Sequence, residues 1–198
     1  MRQIALPLAT SAGEGPSRIV VGNANAAVID AFANTVAWPF RTAILAGPPR
    51  SGKSLLARWF AESGAGGEAI DDADRMDEAD LFHRWNRAQE SATPLLLVAG
   101  EGEWKIALPD LASRLGAALH LSIGAPDDEM MGELIALHAE QRGLVLGEGA
   151  ISYLVPRCER SHMGAELLVG TIDRLSLERK QPPTMAIWRD ALAEIAAN

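Results

Sequence analysis

The segment Gly47-Pro48-Pro49-Arg50-Ser51-Gly52-Lys53-Ser54 sets a lysine and a hydroxyl directly after the second of two glycines spaced five apart. Glycines at that spacing let backbone N–H groups wrap phosphate oxygens, and the N-terminus of a following helix adds a favourable dipole. In such a loop the backbone from Gly47 to Leu55 would line the phosphates of ATP or ADP. Lys53 would meet the β and γ phosphates, and Ser54 would ligate Mg2+. The alternative is a glycine-rich turn that matches by chance. Two features weigh against it: the chain has only three lysines, Lys53, Lys105 and Lys180, and the motif stands between a strand-like and a helix-like segment, as the chemistry requires.

Acids and arginines come next. Asp71 and Asp72 close a short apolar run, where a phosphate-loop ATPase places one carboxylate on the Mg2+ shell and another that orients water. Position alone leaves this level with a plainer reading, because Asp71, Asp72, Asp74, Asp77, Glu78 and Asp80 also make a solvated acidic stretch. Arg114 precedes a strand-like run and Arg160 a helix-like one, but spacing does not single them out among fifteen arginines.

The elements that must position these residues alternate. Asn25 to Val36 has apolar residues at helical spacing and ends at Trp38-Pro39. Thr42 to Ala46 is a short apolar run, and Lys53 to Glu62 is helical in period. Further apolar runs at Glu68 to Ile70, Pro94 to Ala99 and Ala117 to Ile123 frame a helix over Glu78 to Glu90. Strands alternating with helices predict an α/β fold with a parallel sheet. Beyond Pro126, four amphipathic stretches (127–142, 148–157, 162–179 and 184–197) predict a small all-helical domain. The reading is thus a flexible tail over 1–16, a nucleotide-binding domain over 17–124 and a helical lid over 125–198.

Composition bounds the rest. A 198-residue chain with 48% hydrophobic and 22% charged residues can bury one moderate core or one domain with a small appendage. The single cysteine, Cys158, excludes an internal disulfide and fits a reducing cytoplasm. No run approaches the roughly 18 apolar residues of a membrane span. A net charge of −8 and a pI near 5.0 argue against a broad basic face for the nucleic-acid backbone.

These residues together resemble the AAA+ ATPases, and among them the DnaA/Hda-like group. The resemblance runs over nearly the whole chain. It rests on the phosphate loop, Ile70-Asp71-Asp72-Ala73-Asp74, Leu108-Pro109-Asp110-Leu111-Ala112-Ser113-Arg114-Leu115 and Gln3-Ile4-Ala5-Leu6-Pro7-Leu8. It implies a P-loop parallel sheet between helices, followed by a helical lid. It puts Asp71 and Asp72 on the Walker B acids, Arg114 on the arginine finger that reaches a neighbouring subunit's nucleotide, and Arg160 on the sensor II arginine. Val21 and Gly22 fall where the group lines the adenine pocket. Gln3, Ile4, Leu6, Pro7 and Leu8 resemble a peptide that inserts into the DNA polymerase sliding clamp.

Two departures bear on activity. Only Gly64 to Gly67 separate the phosphate-loop helix from the Walker B run, so the sheet is expected to lack an edge strand and keep four. Val98-Ala99-Gly100 offers no polar side chain at the sensor I position, which implies slow hydrolysis or none in isolation. The lid ends the resemblance, so no counterpart of DnaA's helix-turn-helix domain is expected, nor sequence-specific DNA binding. The expected role is a clamp-tethered regulator that promotes hydrolysis of ATP held by a DnaA-type initiator, with self-association open. The rivals are an adaptor without catalytic effect and a small-molecule kinase.

Overall fold

The structure is a computed structural model that describes residues 18–63 and 67–197. They fall into two compact units: residues 25–124, and residues 18–24 together with 125–197.

The first unit is built on four parallel strands, β1 (Thr42–Ala46), β2 (Glu68–Ile70), β3 (Leu95–Val98) and β4 (Leu119–Ser122), in the order β2-β3-β1-β4. In register, Ile44 of β1 faces Leu97 of β3 and His120 of β4, and Ile70 of β2 faces Leu97. β1 and β3 are almost wholly apolar because helices cover both their faces, as a central parallel strand requires. The outer strands are short and carry polar residues, Glu68 on β2 and His120 and Ser122 on β4. Such edges resist pairing with other chains. The four-stranded sheet expected from the short 64–67 connection is therefore what forms.

Helices α3 (Glu78–Glu90) and α4 (Pro109–Gly116) bury Leu81, Trp85, Ala88, Leu111 and Leu115 against Ile44, Leu95 and Leu97. On the other face lies α2 (Lys53–Glu62), whose Phe60 is fully buried and packs 5.1 Å from Phe32 and 5.3 Å from Trp38.

The first helix is shorter than its apolar spacing suggests. α1 covers Ala26–Phe32 and buries Val28 and Phe32, but Asn34 leaves helical geometry and Thr35–Ala37 forms a 3-10 turn that exposes Val36. Asn competes for its own backbone and β-branched Thr35 and Val36 favour helix weakly, so the chain breaks there. The Trp38 indole then folds back and donates to the Ala31 carbonyl at 2.9 Å.

The second unit is helical: α5 (Asp128–Gln141), α6 (Ala150–Leu154), α7 (His162–Arg179) and α8 (Met185–Ala196). Asp127 caps α5 by accepting from the Met130 N–H, and Ser161 caps α7 by accepting from Gly164 at 2.8 Å. The stretch expected as one helix over 148–157 is α-helical only as α6 and tightens into a 3-10 turn at Val155–Arg157, where Pro156 lacks a donor. α7 packs on α5 and α8, burying Met131, Ile135, Leu168, Ile172, Ile187 and Trp188. Among the described residues no helix is long and apolar enough to cross a membrane.

Candidate functional site

β1 delivers the loop from Gly47 to Ser54 at its C-terminal end, the usual ligand-binding edge of an open parallel sheet. The backbones that follow β3 and β4 brace its root: the Ala99 N–H donates to the Leu45 carbonyl at 3.0 Å and the Ile123 N–H to the Ala46 carbonyl at 2.9 Å. A Cβ at Gly47 would stand 3.0 Å from the Ile123 Cβ, so only glycine fits that close approach. Gly52 has φ 85°, a left-handed conformation, and caps α2. Arg50 is left-handed too, with φ 64°. The loop therefore winds tightly before a helix whose first N–H groups have no partner within the helix.

Lys53 arches back over this loop. Its Nζ donates to the Gly47 carbonyl at 2.7 Å and the Pro48 carbonyl at 2.9 Å. Burial lowers its pKa from the ordinary lysine value, opposed by the carboxylates of Asp71, Glu101, Asp72 and Asp74. Ser51 is 5% exposed and its Oγ has no hydrogen-bond partner among the described residues. Ser54 is exposed on the first turn of α2, whereas the Leu55 side chain is buried, leaving its backbone to serve a ligand. An orphaned hydroxyl, helix N–H groups and an ammonium hydrogen-bonded to two carbonyl oxygens together form a donor set that fits a polyphosphate. Pro49, at the exposed tip, adds no donor.

The acidic turn follows β2. Asp71 and Asp72 are exposed, Asp72 is left-handed (φ 48°), and the Asp71 Oδ1 accepts from the Asp72 N–H at 3.1 Å. Among the described residues no group of three or more His, Cys, Asp or Glu side chains is disposed to hold a metal alone. Ser54 and Asp71 have the oxygen donors that Mg2+ takes alongside phosphate oxygens. Asp74 was legible in the sequence only as one acid among several. Its Oδ2 accepts from the Gly100 N–H at 2.9 Å, while its Oδ1 is buried without a partner among the described residues. A carboxylate from the β2–α3 connection thereby reaches the end of β3, where residues 98–100 bring no polar side chain.

Arg114 lies in the last turn of α4. Its guanidinium carbon stands 4.6 Å from the Phe82 ring centroid and 4.4 Å from that of Trp85, and Nη1 donates to the Asn86 Oδ1 at 2.5 Å. The entry to α4 is tied to α3 as well, since Glu78 accepts from the Ala107 N–H at 2.9 Å and the Leu108 N–H at 2.6 Å. The sequence reading missed Phe82, Trp85 and Asn86; their i, i+3, i+4 spacing on one helix face was the available signal.

No protein-family model matches the sequence. Among solved structures, domain III of the Thermotoga maritima replication initiation protein DnaA aligns with a TM-score of 0.70, covering 89% of this chain and 94% of that one at 13% identity. The chain has the DnaA-like AAA+ fold. A replication initiator DnaA bound to AMPPCP and single-stranded DNA aligns with a TM-score of 0.60 at 15% identity, over 82% of this chain and 66% of that one. The Thermotoga maritima RuvB Holliday junction branch migration motor aligns with a TM-score of 0.61 at 18% identity, over 86% and 68%. At these identities the likeness is one of fold.

In the helical unit of this AAA+ fold, Arg160 pairs with Asp128 at 2.6 Å, both side chains more than half exposed. Val21 and Gly22 lie just ahead of Asn23, which accepts from the Asp127 N–H at 2.9 Å and donates to the Ala125 carbonyl at 3.1 Å. A Cβ at Gly22 would meet the Met130 side chain at 3.0 Å. Gln3, Ile4, Leu6, Pro7 and Leu8 lie outside the described residues.

Proposed function

We propose that this chain is a nucleotide-binding regulator of replication initiation, acting in the cytoplasm. The supporting observation is the phosphate loop on a DnaA-like AAA+ fold, with the Lys53 ammonium donating to the Gly47 and Pro48 carbonyls. ADP or ATP would take the place of those carbonyls. Backbone N–H groups from Arg50 through Leu55 would hold the phosphate oxygens, and by the resemblance Val21, Gly22 and Arg160 would also serve nucleotide binding. Mg2+, when bound, supplies positive charge at the phosphate oxygens and would rest on Ser54 and Asp71. Asp72 would orient water. With no polar side chain from 98–100, the chain's own turnover would be slow.

In this reading its effect is exerted in trans. Arg114 would approach ATP held by a DnaA-type initiator and offset charge developing on the γ-phosphate. The peptide from Gln3 to Leu8 would tether the chain to the sliding clamp, and self-association could present the same surface to a second copy.

Two measurements test the proposal. Hydrolysis of ATP bound to the initiator is followed with and without this protein and DNA-loaded clamp; stimulation that Arg114→Ala abolishes is expected, and an unchanged rate with the wild-type chain would sink the reading. That second outcome, with clamp and initiator still bound, would instead favour an adaptor. Clamp capture should be lost in a Gln3→Ala, Leu6→Ala double variant that still binds ADP.

A further inference from the structure

Arg84, Arg160, Arg174 and Arg179 each end on a carboxylate: Glu68, Asp128, the pair Glu178 and Glu194, and Asp190. Arg114 is held differently. Its half-buried guanidinium lies over two aromatic rings and gives one donor to a neutral amide. Among the described residues it makes no ion pair. No carboxylate among the described residues offsets its charge, while the rings fix its plane.

The platform beneath it is rigid. Trp85 is 7% exposed and belongs to the sheet-face core, against which Phe82 also packs. On α4 the flanking Leu111 and Leu115 are 0% and 1% exposed, so the helix cannot rotate without emptying that core. Arg114 therefore leaves α4 in one direction, towards α3, and Asn86 takes Nη1. Nη2 and Nε remain as a fork of donors, the geometry that suits a phosphate.

We infer that Phe82, Trp85 and Asn86 are positioning residues that pre-orient Arg114 for the phosphate of a nucleotide held by a neighbouring AAA+ subunit. The inference rests on the trans role proposed above for Arg114. A free arginine samples many rotamers and must lose that freedom when it binds. The two rings and the amide restrict it beforehand, so the benefit falls on the rate of the assisted reaction and not on the affinity between subunits.

The test uses the full chain with clamp and ATP-loaded initiator, and reads the maximal stimulated rate separately from the concentration giving half of it. Asn86→Ala and Phe82→Leu should each lower the maximal rate roughly ten- to hundredfold, leaving the half-saturating concentration within about twofold of wild type. Phe82→Tyr, which keeps the ring, should restore it. Trp85 is left in place because its removal would open the core. Bound ADP and an unchanged unfolding midpoint serve as controls for folding.

If Arg114→Ala abolishes stimulation while Asn86→Ala and Phe82→Leu act at wild-type rate or faster, the inference is overturned and the trans role stands; the rings would then store the guanidinium away from its target. If Arg114→Ala itself stimulates like wild type, the trans role fails, and this inference falls with it.

Discussion

Replacing Lys53 with alanine tests the nucleotide site most directly. In the free protein the ammonium donates to the Gly47 and Pro48 carbonyls, and on binding it must exchange them for phosphate oxygens. A hydrogen bond to a charged group contributes about 1.5–3 kcal/mol net. The upper end is out of reach, because the two carbonyl contacts are given up in exchange and the backbone N–H groups of the loop remain. ADP affinity should therefore fall about ten- to thirtyfold, at 1.4 kcal/mol per tenfold. Fold stability should change by about 1 kcal/mol or less, since losing the two carbonyl hydrogen bonds and removing a partly buried charge oppose one another. Titration calorimetry with ADP and Mg2+, paired with thermal unfolding, measures both. The pH dependence has a definite sign: burial lowers the Lys53 pKa from 10.5, so the folded chain loses the proton before the unfolded one does. The stability cost of burying the charge is thus present at neutral pH and is relieved as pH rises through the lowered pKa towards 10.5. ADP affinity should weaken over that same alkaline window. An affinity within twofold of wild type in a folded Lys53→Ala variant would refute the assignment.

Other residues give independent checks. Gly67→Ala would put a Cβ 2.4 Å from the Phe60 ring, which Phe32 and Trp38 hold in place, and should cost about 1–3 kcal/mol in urea unfolding. Ser161→Ala removes the cap of α7 and should cost about 1 kcal/mol by the same measurement. In Asp74→Ala the Gly100 N–H loses its acceptor, so amide exchange at Gly100 should quicken roughly three- to tenfold; an unchanged rate would mean that this bond does not hold the end of β3. Arg160→Ala should leave stability within about 1 kcal/mol, its pair with Asp128 being exposed. Calorimetry should nonetheless show weaker ADP binding if Arg160 touches the nucleotide.

Much of the fold was written locally. The five-residue spacing of Gly47 and Gly52, the run Thr42–Ala46 before them and the helical period after them specify strand, loop and helix without distant contacts, because glycine geometry and hydrophobic periodicity act over a few residues. The short connection before Glu68 likewise implied a sheet of four strands, since four residues have no room for a further strand and helix. α1 misled because apolar spacing at Ala27, Val28, Phe32 and Val36 does not register where Asn34 turns the backbone. Tertiary structure alone decided the rest. That Asp74, and not a residue of 98–100, brings a polar group to the end of β3 depends on the left-handed turn at Asp72 and on β2 lying beside β3. That Arg114 rests on Phe82, Trp85 and Asn86 depends on two helices, 28 residues apart in sequence at the Asn86 contact, burying their leucines on one sheet face. Local patterning sets which residues can form an element; only the shared core sets which elements, and hence which polar groups, meet.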